Sequence, residues 1–92
     1  MAEKRMDALF SGSVQGVGFR FTAERFANDY GVKGYVRNTP NGKVELVAEG
    51  DEKILKKLLN AIVEDMGNVI DNYSADWFPP TGEFERFEIR AY

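Results

Sequence analysis

The sequence predicts an α+β sandwich, an antiparallel-type sheet with two helices on one face. Three observations carry that expectation. Apolar residues recur with period two or period 3.6 in segments ordered β-α-β-β-α-β, and a further strand-like stretch closes the chain. Asn41-Gly42 divides two strand-like runs, as the turn of a hairpin does. Each helical stripe runs into a glycine, Gly31 or Gly67, where a helix would end.

Residues 5–11, Arg-Met-Asp-Ala-Leu-Phe-Ser, are the first strand. Met6, Ala8 and Phe10 share one face, opposite Asp7, Leu9 and Ser11, so one side is the more apolar. A glycine-rich turn ends this strand. From Phe19, the stripe Phe19, Ala23, Phe26, Ala27 and Tyr30 predicts a helix with Gly31 at its C′ position. Lys33 to Thr39, holding Tyr35 and Val36, has strand propensity. After the break at residues 38–42, Lys43 to Ala48 returns with Val44, Leu46 and Ala48 alternating against Lys43, Glu45 and Val47. Residues 33–49 therefore read as a hairpin.

Asp51 is placed to cap a second helix, whose apolar stripe is Ile54, Leu55, Leu58, Leu59, Ile62, Val63 and Met66. Val69 to Trp77 is strand-like but interrupted by Asp71, Asn72 and Asp76, and Pro79 to Gly82 is a loop. Glu83 to Tyr92 alternates as a last strand, with Phe84, Arg86, Glu88 and Arg90 opposite Glu85, Phe87, Ile89 and Ala91. This order is the split β-α-β, ferredoxin-like sandwich with a fifth strand. No linker divides the chain, so residues 1–92 read as one domain. The fold hosts many functions, so function has to come from a site.

Composition narrows the chemistry. Hydrophobic residues make up 43% of the chain, too many for a disordered segment. Cysteine is absent, which excludes a thiol nucleophile, a disulfide framework and a thiolate metal site. Histidine is absent too, removing the commonest metal ligand and the usual proton carrier near neutral pH. Carboxylates alone could still bind Mg²⁺ or Ca²⁺, but no loop has EF-hand spacing. A net charge of −3 argues against a nucleic-acid partner, which calls for a basic face. The longest apolar run is far short of a membrane span, and the N-terminus leads into no signal-peptide core. A cytoplasmic protein with no membrane partner is expected, and with no apolar face left over, a monomer.

The chemistry sits in residues 12–20, Gly-Ser-Val-Gln-Gly-Val-Gly-Phe-Arg. Glycines let such a turn aim backbone N–H groups into one concavity, a ready anion site. The helix that follows adds its unpaired first N–H groups and the positive end of its dipole. Arg20 adds a planar fork suited to phosphate or carboxylate. A glycine-rich strand-to-helix turn beside a surface arginine is the plainer reading of the same residues. Other phosphate loops fail on spacing: there is no Gly-Lys-Ser/Thr, and Gly16-Val17-Gly18 meets Phe21 where a dinucleotide fingerprint needs its third glycine.

Two longer patterns decide between these readings. Gly12 to Arg20 resembles the acylphosphatase signature G-x-V-Q-G-V-x-F-R. Gly34-Tyr35-Val36-Arg37-Asn38, with Gly42, Val44 and Gly50, resembles that family's second signature, G-[WYF]-V-x-N-x(3)-G-x-V-x(5)-G. The resemblance runs over residues 5–92. It implies a ferredoxin-like sheet in the order 4-1-3-2-5 and hydrolysis of the carboxyl–phosphate bond of small-molecule acyl phosphates, with no cofactor. By position, it implies that Arg20 binds the phosphoryl oxygens and Asn38 holds the attacking water. The backbone N–H groups of Ser13, Val14, Gln15, Gly16, Val17, Gly18 and Phe19 would complete the cradle.

The residues allow that chemistry. Phosphoryl transfer through a loose transition state needs positioning and charge stabilisation more than covalent help. A carboxylate leaving group, whose acid has a pKa of about 4, departs without being protonated. A chain without histidine or cysteine can therefore run the reaction. An asparagine before Thr-Pro-Asn-Gly is ordinarily a turn former, but its amide carries both a donor and an acceptor with which to orient a water. Gln15 reads as loop support, Arg37 as a strand-end charge and Tyr35 as a core or rim residue, while Thr39 is placed to bond Asn38. Departures from the family pattern are Phe10, where an aliphatic residue is commoner, and Gly67-Asn68 in place of Gly-Pro. The alternative function is a non-catalytic module that binds an anion or acyl phosphate in the same cradle. Domains of this kind also occur fused to larger carbamoyl-transfer proteins, whereas here the domain fills nearly the whole chain.

Overall fold

A computed structural model describes residues 2–91. The strands are β1 (Glu3–Gly12), β2 (Lys33–Asn38), β3 (Val44–Asp51), β4 (Ile70–Phe78) and β5 (Phe87–Ile89). The helices are α1 (Phe19–Tyr30) and α2 (Glu52–Met66). The strands lie side by side as β4-β1-β3-β2-β5, the order that the resemblance implies. Three pairings are antiparallel, and β5 runs parallel to β2, so the sheet is mixed.

Period-two and period-3.6 faces meet in one core. Met6, Ala8 and Phe10 of β1 and Val44, Leu46 and Ala48 of β3 are buried with Phe19, Ala23 and Ala27 of α1 and Leu55, Leu58 and Ile62 of α2. Both helices therefore cover the same side of the sheet. Asp51 caps α2 as expected, its Oδ1 accepting the Lys53 N–H at 3.0 Å. The Gly31 N–H closes α1 by bonding the Ala27 and Asn28 carbonyls.

Two expectations are corrected. The last strand spans only three residues, because the chain before it is held elsewhere. Glu49, 7% exposed, accepts the N–H groups of Thr81 and Gly82 and the Thr81 hydroxyl. These bonds tie the chain just ahead of the predicted strand to β3, and Phe84 packs edge-on against Tyr35 at 5.9 Å. Pairing with β2 begins where Gly34 N–H meets the Arg86 carbonyl. Tyr92, the end of the predicted strand, lies outside the described residues. Val47, assigned to the polar side of β3, is buried on the face turned away from the helices.

Candidate active site

Topology sets the site. β1 and β2 are each antiparallel to β3, so they run parallel and their C-terminal ends emerge at one edge of the sheet. Phe10, Val44 and Asn38 lie in one row across β1, β3 and β2. With neighbouring strands about 4.8 Å apart, that row places Phe10 and Asn38 roughly 10 Å from each other. The Phe10 ring meets the ring of Phe19 at 5.0 Å, which anchors the first turn of α1, and with it Arg20, beside the same edge.

The loop from Ser13 to Gly18 is held at three points. The Ser13 N–H donates to the Val69 carbonyl at 2.9 Å. Val14, 1% exposed, sinks into the core. The Gln15 amide nitrogen donates to the carbonyls of Thr39 and Lys43, both at 2.9 Å. Both partners are acceptors, so the orientation of that amide is fixed by its bonds. Gly16 and Gly18 adopt left-handed φ values of 75° and 79°, which a residue bearing a Cβ takes up only at a cost. Between these anchors the backbone N–H groups of Val14 through Phe19 bond to no acceptor among the described residues. Ser13 is the exception in the predicted cradle: its N–H is engaged with Val69 and serves as an anchor.

Arg20 is half-buried and forms no ion pair or hydrogen bond with the described residues. The other arginines are occupied. Arg5 pairs with Asp7, Arg37 with Glu45, and Arg86 and Arg90 with Glu88, while Arg25 lies over Phe26. A cation at the first turn of a helix is unfavourable beside the dipole, and an anion in the loop would reverse that sign. Across the edge, Asn38 Oδ1 is buried without a hydrogen-bond partner among the described residues. Burying an acceptor in this way costs about 1–3 kcal/mol unless a donor reaches it. A water bound there would supply the donor.

Nearby residues brace these groups. Thr39 bonds Asn41 and Lys43 rather than Asn38: its N–H meets the Lys43 carbonyl at 2.9 Å, and its hydroxyl accepts the Lys43 N–H at 3.1 Å. This correction follows from the tight turn, which brings Lys43 back within reach of Thr39. Tyr35 stands on the face away from the helices, where burial raises its pKa and the Glu45 carboxylate adds to the effect. Tyr35 is half-buried there, its ring packed by Phe84, Arg37 and Arg90. The described residues include no group of three or more histidine, cysteine, aspartate or glutamate side chains arranged to hold a metal ion.

A separate concavity of about 550 Å³ opens at the opposite end of the sheet, lined in part by Lys33, Glu49, Gly50 and Thr81. Burial alone would push Glu49 up, but the Thr81 and Gly82 N–H groups, the Thr81 hydroxyl and Arg5 together hold it below the usual carboxylate range. Glu49 is thereby an anchor for the loop around Thr81 rather than a group awaiting a ligand.

Comparison with known proteins covers the loop, both signatures and the rest of the sheet. The family model described as acylphosphatase matches residues 6–89. The chain belongs to the acylphosphatase family. An acylphosphatase of Thermotoga petrophila is 41% identical over 90 residues, covering 97% of this chain and 99% of that one. One from Deinococcus radiodurans is 54% identical over 56 residues, 61% of this chain and 64% of that one. The crystal structure of acylphosphatase from Bacillus subtilis superposes with a TM-score of 0.85 at 28% identity, covering 95% of this chain and 98% of that chain. The function is that of an acylphosphatase, a hydrolase. No helix among the described residues is long and apolar enough to cross a membrane.

The sequence did not reveal how this acylphosphatase loop is tied down. Gln15 was legible only as loop support, because its partners are the backbone carbonyls of Thr39 and Lys43, which leave no mark on residue type. Val69 is equally silent, since only its carbonyl takes part.

Proposed function

We propose that this acylphosphatase binds the phosphoryl group of its substrate between the backbone N–H groups of Val14 to Phe19 and the Arg20 guanidinium. In this reading Asn38 orients the attacking water. The observation that carries it is the convergence on one sheet edge of an arginine and a buried acceptor, neither of which finds a partner among the described residues. An anion would satisfy the first, and a water the second.

The reaction then needs little else. The water oxygen attacks phosphorus as the bond from phosphorus to the acyl oxygen breaks, and that electron pair leaves with the carboxylate. Both protons of the water end on the phosphate product, so a dianionic acyl phosphate yields a carboxylate and a phosphate monoanion. Charge builds on the phosphoryl oxygens, where fixed N–H dipoles and Arg20 stabilise it without reorganising. The leaving carboxylate needs no general acid. Arg20 supplies the positive charge that a metal supplies in other phosphoryl-transfer sites, which supports a metal-independent route. Every proposed group comes from one chain, which supports a working monomer.

The test is benzoyl phosphate hydrolysis in the presence of EDTA by the wild type and by Arg20→Ala. The wild type should turn over, and Arg20→Ala should lose both affinity and rate, by about a hundredfold or more in kcat/KM. A wild type that binds inorganic phosphate without hydrolysing benzoyl phosphate would overturn the catalytic reading in favour of a binding module.

A further inference from the structure

Large apolar side chains stand exposed at six described positions: Val17, Phe21, Tyr30, Tyr73, Trp77 and Phe78. The last three lie along edge strand β4, and Tyr30 ends α1 at its far end. Val17 lies in the loop that ends at Gly18 and Phe21 in the helix turn that follows it, with exposures of 46% and 72%. Neither belongs to the buried cluster or packs against it.

Neither position serves the core. A hydrophobe just before a helix N-cap ordinarily packs against the fourth helical residue. Here the N-cap is Gly18 and the fourth residue is Thr22, so Val17 has no such partner. Phe21 projects away from Phe19, Ala23 and Ala27, since 100° per residue sets it on the opposite side of α1. Helical side chains lean toward the N-terminus and cover the turn before them. The Phe21 ring therefore overhangs the Val17-Gly18 end of the loop, next to Arg20.

We infer that Phe21, with Val17, forms the wall against which the substrate's acyl group rests, selecting acyl phosphates with an aromatic or branched aliphatic acyl group over acetyl-sized ones. The inference rests on the phosphoryl site proposed above. Where the acyl group carries no ionised substituent, charge can hold only the phosphoryl end. Discrimination at that end falls to apolar area and ring packing, and Phe21 offers both.

The test compares kcat/KM for benzoyl phosphate and acetyl phosphate in the wild type, Phe21→Ala, Phe21→Leu and Val17→Ala. Phe21→Ala should lower the benzoyl-to-acetyl ratio about fivefold, through KM rather than kcat. Val17→Ala should move the ratio the same way by less, and Phe21→Leu should restore most of it. Because Phe21 is so exposed, its variants should fold with an unchanged thermal midpoint. An unchanged ratio in Phe21→Ala would overturn the inference while leaving the phosphoryl site intact. A wild type that hydrolyses neither substrate would overturn both.

Discussion

The side-chain amide of Gln15 donates to the carbonyl of Thr39 at 2.9 Å, so a residue inside the glycine-rich loop grips the turn that directly follows Asn38. The same nitrogen reaches the Lys43 carbonyl, on the far side of that turn. The two halves of the proposed site, one after β1 and the other after β2, are thereby held in fixed relation by a single side chain.

Gln15→Ala should therefore lower activity more than stability. Both carbonyls keep another donor, Gly42 N–H for Thr39 and Thr39 N–H for Lys43, so neither is orphaned. The loss should be only about 1 kcal/mol, read as a small drop in the denaturation midpoint. A loop that drifts relative to Asn38 misplaces phosphorus and water, and kcat should fall about tenfold. Gln15→Glu should be worse, because a carboxylate would face two carbonyl oxygens. Equal loss of stability and activity, with kcat unchanged per folded molecule, would show that Gln15 only supports the fold.

The fold was legible because each element's face had one job. Met6, Ala8 and Phe10 could serve only as a buried strand face, and Leu55, Leu58 and Ile62 only as a helix stripe. The reading stumbled where a side chain from elsewhere redirected the backbone. Glu49 takes the N–H groups of Thr81 and Gly82, and nothing in the alternation of residues 83–92 reveals this. In the proposed site, Arg20 and Asn38 were assigned through the resemblance of residues 12–20 and 34–50 to the two family signatures. The anchors Val69 and Lys43 were not, because they act through carbonyls that every residue possesses.

Gly18 offers a finer test of the loop. Its φ of 79° lies in the left-handed region, yet a Cβ there would meet nothing within 4 Å. The penalty for substitution is thus conformational rather than steric. Gly18→Ala should cost about 1–2 kcal/mol or relax the loop, lowering kcat/KM. Asparagine tolerates left-handed backbone better, so Gly18→Asn should retain more stability and more activity. Equal losses in the two variants, measured side by side, would mean that the left-handed conformation is not what Gly18 supplies.

Glu49 predicts a pH dependence of stability. Its folded pKa is depressed, while in the unfolded chain it returns to about 4.3. The unfolded state therefore binds the proton more readily. The stabilisation is complete above the unfolded value and is lost as pH falls through the folded one. The thermal midpoint should drop as pH is lowered below about 4.3, as the Glu49 anchor of the loop at Thr81 and Gly82 is protonated. Glu49→Gln should be less stable at pH 7 and should show a shallower acid limb. An identical acid limb in the variant would assign that limb to other carboxylates.

Asn38 should separate stability from activity in the opposite sense to an ordinary core residue. Its Oδ1 is a buried acceptor that no described residue satisfies, so removing it breaks no hydrogen bond with them and orphans no donor. Asn38→Ala removes that atom and should leave the denaturation midpoint unchanged or slightly raised. The same change removes the group proposed to orient water, and kcat should fall about a hundredfold or more while inorganic phosphate still inhibits. Asn38→Asp keeps the shape but replaces the amide with a charge that repels the phosphoryl oxygens, so it should weaken phosphate inhibition, which the alanine variant does not. Full activity in Asn38→Ala would remove the water-orienting role and leave Arg20 and the loop as the whole of the site.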